Sequence, residues 1–204
     1  MNSILKRFKK INKVLIFLTF SDVFSWGSFT VISALTGLYL ATKLGQNTVE
    51  YVGIGTAIYF FVRGLAQMPI GHLTDKFKKD KDEIFLLALG IVLMGTPFLF
   101  YQKITVFYHY FLLQAIFGLG AALNVTNWRK LFALNIDGGR EGRQYATYET
   151  IMSLCTGVLS VGGGVIANMG DKYFDLVISS AGLFIILASF WILLIYLLEE
   201  RKSS

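Results

Sequence analysis

Apolar residues in this chain come as long uninterrupted blocks separated by short polar breaks. The blocks cover residues 14–44, 49–70, 84–101, 104–127, 147–169 and 174–198. Each is close to or above the roughly 20 residues a helix needs to cross about 30 Å of hydrocarbon. In lipid, backbone N–H and C=O groups must be satisfied within their own segment, which selects helices. The short alternating segments of a membrane barrel are not present. The pattern predicts an all-α, polytopic membrane protein, with six spans forming a single domain over residues 1–204. No soluble domain, linker, low-complexity stretch or legible internal repeat interrupts it. The first block is longer than one crossing requires, so it should be tilted or project beyond the bilayer.

Composition agrees: 54% of residues are hydrophobic and only 16% charged, too apolar a balance for a soluble domain of this length. The net charge of +6 raises the question of nucleic acid, and its distribution answers it. Lys6, Arg7, Lys9, Lys10 and Lys13 precede the first span; Lys76, Lys78, Lys79 and Lys81 follow the second. Arg129, Lys130, Arg140 and Arg143 follow the fourth, and Arg201 and Lys202 the sixth, against Lys43, Lys103 and Lys172 on the other side. That is positive-inside asymmetry: it places both termini in the cytoplasm and makes the lipid bilayer, not nucleic acid, the partner. The basic N-terminus and apolar run differ from a signal peptide in length, in carrying Asp22, and in lacking a small-residue cleavage site. The run is therefore read as a retained anchor. The single cysteine, Cys155, lies within a span, which excludes an internal disulfide and a cysteine metal cluster. No metal or cofactor is expected.

The polar residues inside the blocks are the candidates for function. Asp22 lies nine residues past Lys13, and Arg63 nine before His72, so each sits ~13 Å from the same membrane edge. A charge at such depth costs about 2.5–3.5 kcal/mol on insertion scales and should face protein or water. The matched depth predicts an Asp22–Arg63 pair, either lining a cavity or stapling two helices. The fourth block adds His109, Gln114 and Asn124, and the fifth is entered at Glu149. The interiors of the third and sixth blocks read as free of ionisable groups, and those spans as lipid-facing scaffold. Gly157 and Gly162-Gly163-Gly164 give the fifth a smooth face. Pro97 is a candidate kink in the third. Residues 129–136 read as an extension or amphipathic segment beyond the fourth span, with Trp128 suited to the interface.

Between the second and third blocks stand Gly71, Leu73, Asp75, Lys76, Lys79 and Lys81. Their order resembles the loop pattern G-x-L-a-D-[RK]-x-G-[RK]-[RK] of major facilitator superfamily transporters. Lys78 replaces the second glycine and Asp80 interrupts the basic run. Gly71 is expected to end the second helix. Gly118-Leu119-Gly120-Ala121-Ala122 resembles a second superfamily pattern, with Gln114 in place of its leading arginine. In proton-coupled relatives that arginine is associated with proton movement, so the replacement counts against proton coupling through this position. The basic glycine turn Asp137-Gly138-Gly139-Arg140-Glu141-Gly142-Arg143 is also usual in the family, whereas the Gly-Pro of drug antiporters is missing from the fifth block.

The resemblance covers nearly the whole chain and implies one six-helix bundle, built as a 3+3 inverted repeat, of a machine that uses two. It implies that the first, second, fourth and fifth helices line the pathway and that the third and sixth support them. The expected function is a half-size secondary transporter in the cytoplasmic membrane. It would move a small solute by alternating access after pairing with itself or with another six-helix half. Asp22, Trp26, Arg63 and Gln114 are the expected substrate-binding residues. Gly71, Asp75 and Lys76 are the expected gate, Asp75 facing the start of the partner's fifth helix, whose dipole favours negative charge. The alternative is a non-transporting membrane protein that keeps the bundle. An enzyme is disfavoured: His-Glu-x-x-His, Gly-x-Ser-x-Gly and dense His/Asp clusters do not occur, nor does a nucleotide-binding loop.

Overall fold

The computed structural model describes residues 12–45, 47–76 and 80–203. The basic residues ahead of Asn12, together with Lys78 and Lys79, lie outside the described residues. The first span consists of α1 (Lys13–Asp22), a π-helical turn (Val23–Gly27) and α2 (Ser28–Leu44). The second is α3 (Thr48–Asp75), and the third is α4 (Asp80–Leu99), closed by a 3-10 turn (Tyr101–Lys103). The fourth is α5 (Phe107–Asn135) and the fifth α6 (Glu141–Ala167). The sixth is α7 (Asp171–Leu187), broken at Ala188 and continued by α8 (Ser189–Ser203). No strand occurs among the described residues, and six helices are long and apolar enough to cross a membrane.

Local chemistry sets several of these limits. The Asn12 side chain accepts a hydrogen bond from the Val14 N–H at 3.0 Å, capping α1. Gly45 ends α2 at φ 68°, a conformation that suits a residue without a Cβ. One sequence expectation fails here. Gly71 does not end the second helix, which keeps helical geometry through Asp75. Of the two readings of residues 129–136, the structure shows the extension, since α5 runs on unbroken to Asn135. There the Asn12 Nδ2 donates to the Asn135 carbonyl at 3.1 Å and ties the helix end to the start of α1.

One apolar core joins the spans, with Leu18 and Ile32 from the first, Leu87, Ile91 and Met94 from the third, Phe117 from the fourth and Ile185 from the sixth. Lipid offers little hydrophobic drive between helices, so close backbone approach at small residues supplies the packing. A Cβ on Gly90 would fall 2.7 Å from the Asn124 backbone nitrogen, and one on Gly120 2.7 Å from that of Met94. The third and fourth spans are therefore locked face to face at Gly90 and Gly120.

Burial corrects the lipid-facing reading of the third span. Only 11% of the second span's most apolar stretch and 6% of the fifth's are buried, against 50% for the third and 33% for the sixth. The third is a packed inner element, and the least covered helices are the second and fifth. The sixth span also carries a charge that the block reading passed over. Asp175 accepts a hydrogen bond from the Tyr39 hydroxyl at 2.5 Å and lies 3.6 Å from Lys43 Nζ, fastening the sixth span to the first at the end opposite Asn12.

Candidate functional site

The π-helical turn is the local feature from which the site grows. A π turn inside an α-helix inserts a residue into the register and recurs at functional positions. This one begins directly after Asp22 and contains Ser25, Trp26 and Gly27. Gly27 lets α6 come close: a Cβ there would meet Leu159 at 3.2 Å and Thr156 at 3.3 Å.

Asp22 and Trp26 face a cleft of about 600 Å³. The second span contributes Arg63 to its wall; the fourth contributes Asn124, Trp128 and Arg129; the fifth contributes Tyr145, Tyr148 and Glu149. The Tyr148 hydroxyl donates to Asp22 Oδ2 at 2.6 Å, and the Trp26 indole N–H donates to Asn124 Oδ1 at 2.9 Å. Arg63 Nη1 donates to the Tyr59 hydroxyl at 2.6 Å, with its guanidinium 5.7 Å from the Trp26 ring centre. Two polar atoms in this wall are buried without a hydrogen-bond partner, Asp22 Oδ1 and Asn124 Nδ2. Both atoms are covered, so the accessible wall offers two arginines, a glutamate and four aromatic rings. Such a surface can engage a small solute carrying both hydrogen-bonding senses and either charge.

The family comparison applies to this same six-helix arrangement. The family model described as Major Facilitator Superfamily matches residues 15–204. The chain belongs to the major facilitator superfamily. Members of that superfamily are transporters, so this is a multi-pass membrane protein with a transporter-type fold, as the loop and glycine patterns implied. No match was found among curated proteins.

In this superfamily bundle the expected charge pair is not formed. Among the described residues Asp22 and Arg63 make no ion pair within 4.0 Å; each bonds to a tyrosine instead, while both line the same cleft. Matched depth brought them to one level, but the side chains' nearer partners won. Gln114 is not part of the cleft wall either. Its Nε2 donates to the Tyr101 hydroxyl at 3.2 Å, ten residues and so about 15 Å along α5 from Asn124. Tyr148 was not singled out in sequence. The signal was available, because Tyr145, Tyr148 and Glu149 at spacings of three and four put one polar stripe on α6.

The residues of the loop motif meet a second constellation at the Asn12 end. Lys130 Nζ lies 2.7 Å from Glu83 Oε1 and 3.5 Å from Asp75 Oδ1, and donates to the Thr74 carbonyl at 3.1 Å. Glu83 is 3% exposed, whereas the Asp75 side chain is 78% exposed. One lysine of the fourth span thus closes the end of the second helix and neutralises a buried carboxylate from the third. Lys76 caps α3 through its backbone N–H, which bonds to the Leu73 and Thr74 carbonyls. A Cβ on Gly71 would meet only Thr126, at an ordinary 3.7 Å, so no approach within the bundle requires that glycine.

Proposed function

We propose that this bundle forms one wall of a solute pathway, and that a second six-helix bundle completes it, from another copy or another chain. The assembly moves a small polar solute across the cytoplasmic membrane by alternating access. The carrying observation is the mixed-charge cleft, flanked by the second and fifth spans that the bundle leaves least covered. An open polar cleft facing acyl chains is costly, which favours a partner surface over it. Gly157, Gly162 and Gly164 support the same reading: among the described residues a Cβ on any of them would meet nothing within 4 Å, so nothing described in the bundle packs on them.

In this reading Asp22, Trp26 and Arg63 contact solute, with Asn124 joining them and Gln114 supporting from outside the cleft. Asp75, exposed and 3.5 Å from Lys130 Nζ, meets a helix start of the second bundle and latches the closed state, with Gly71 and Lys76 beside it. Both termini are cytoplasmic, following the basic residues gathered at the Asn12 end. The protein acts as a carrier and makes or breaks no covalent bond.

The test is the oligomeric mass in lipid nanodiscs together with uptake of a panel of sugars, amino acids and small ions into vesicles. A paired bundle and an uptake activity abolished by Asp22→Asn are expected. A solitary six-helix bundle with no uptake beyond empty vesicles would end the proposal.

A further inference from the structure

The contact between the first and fifth spans has a second side, facing away from the cleft. It holds a cavity of about 330 Å³ at the Asn12 end and an apolar groove of about 390 Å³ further along the same two helices. On α6 the lining residues Thr147, Ile151, Leu154 and Val158 are spaced by three and four and form one stripe across both. From Thr147 to Val158 the seam runs about 17 Å along the helix axis. Its other wall is held by aromatic packing, with Phe20 stacked on Trp191 of the sixth span at 5.0 Å.

Only the Asn12 end of this seam is charged. Arg140 and Arg143 line the cavity there, and among the described residues neither has a carboxylate within 4.0 Å. Asp137 lines it too, with its backbone N–H donating to Gln144 Oε1 at 2.8 Å. Glu141 is turned back on the loop, accepting from the Gly139 N–H at 2.9 Å. Positive-inside topology asks for cations at this end, but not for one at the N-cap and one in the first turn of a helix, where the dipole disfavours them. An anion relieves that arrangement, and the uncharged groove leading away from it suits an acyl chain.

We propose that this seam binds an anionic glycerophospholipid from the leaflet at the Asn12 end. Its phosphate sits at Arg140 and Arg143, and one acyl chain lies along Ile151, Leu154 and Val158. The site uses none of the residues assigned to solute, so it stands whether or not the chain transports.

The full chain, purified in detergent, is titrated with dioleoyl phosphatidylglycerol, dioleoyl phosphatidylcholine or inorganic phosphate, and bound lipid is counted by native mass spectrometry. One phosphatidylglycerol per chain is expected, with phosphatidylcholine much weaker and inorganic phosphate unable to displace the lipid. Arg140→Gln with Arg143→Gln lowers the phosphatidylglycerol affinity about thirtyfold. Lys43→Gln at the opposite end leaves it unchanged. Leu154→Trp, at an exposed position that fills the groove, weakens the dioleoyl lipid but not its dihexanoyl counterpart. Equal binding of the two headgroups by the unmodified chain overturns the proposal, and that comparison needs no variant to fold. So does wild-type affinity in the double arginine variant, or displacement by phosphate alone, which reduces the site to a free-anion contact.

Discussion

The Tyr148 hydroxyl lies 2.6 Å from Asp22 Oδ2 and joins the fifth span to the first just before the π turn. Tyr148 lines both the mixed-charge cleft and the basic cavity behind it, so its side chain stands between the two. Removing the hydrogen bond leaves a buried carboxylate with no partner on either oxygen, because Oδ1 already has none. Tyr148→Phe is expected to cost about 1–3 kcal/mol. Asp22→Asn, which can still accept from Tyr148, is expected to cost less. Thermal unfolding in detergent measures both. An undisturbed Tyr148→Phe variant would show that the bond contributes nothing to holding the spans together.

Among the described residues Lys130 is the one cation within 4.0 Å of buried Glu83, and the same ammonium serves Asp75 and the Thr74 carbonyl. Lys130→Met should destabilise the bundle by about 3–5 kcal/mol, since it strands a buried charge. Adding Glu83→Gln should recover much of that loss, because the stranded charge then disappears. Urea unfolding of the four proteins in this cycle gives the coupling; strictly additive costs would refute the pairing.

Glycines on two faces should respond in opposite ways. Gly120→Val drives a side chain into backbone atoms under 3 Å away, and overpacking of this kind costs about 1–3 kcal/mol or blocks folding. Gly157→Val meets nothing within 4 Å and should leave the isolated bundle's melting temperature alone while reducing the paired fraction in nanodiscs. A Gly157→Val protein that pairs normally would argue against that face as the covering surface.

Asp75→Asn tests the latch without disturbing the buried Glu83–Lys130 contact. The exposed side chain predicts a change below about 1 kcal/mol in stability. Single cysteines placed at the Asn12 end of the cleft wall, at Arg129 and Tyr145 in a background lacking Cys155, should react faster with aqueous maleimide in the variant. Equal labelling rates would remove Asp75 from the closing step.

The spans, their number and the superfamily itself were legible along the chain, because hydrocarbon imposes a length and an apolarity that any single segment must satisfy alone. The loop motif around Asp75 and the glycines at 118 and 120 could likewise be read as they stand. Partners could not. Asp22 and Arg63 share a depth, which the helical rise gives away, yet each found a tyrosine closer than the other, since a hydrogen bond depends on ångström-scale side-chain placement that depth does not fix. Gln114 was drawn into the site by belonging to the right helix, although its own position on that helix points it to Tyr101.

The sequence by itself determined that this chain crosses a membrane as a bundle of helices and which superfamily it belongs to, because spanning is a property of each segment in isolation. Only the tertiary structure decided which spans stay uncovered, where the π turn sets Asp22, and that cavities lie on both sides of the contact between the first and fifth helices. Those are properties of how helices lean on one another, and packing between distant residues leaves no period in the chain to read.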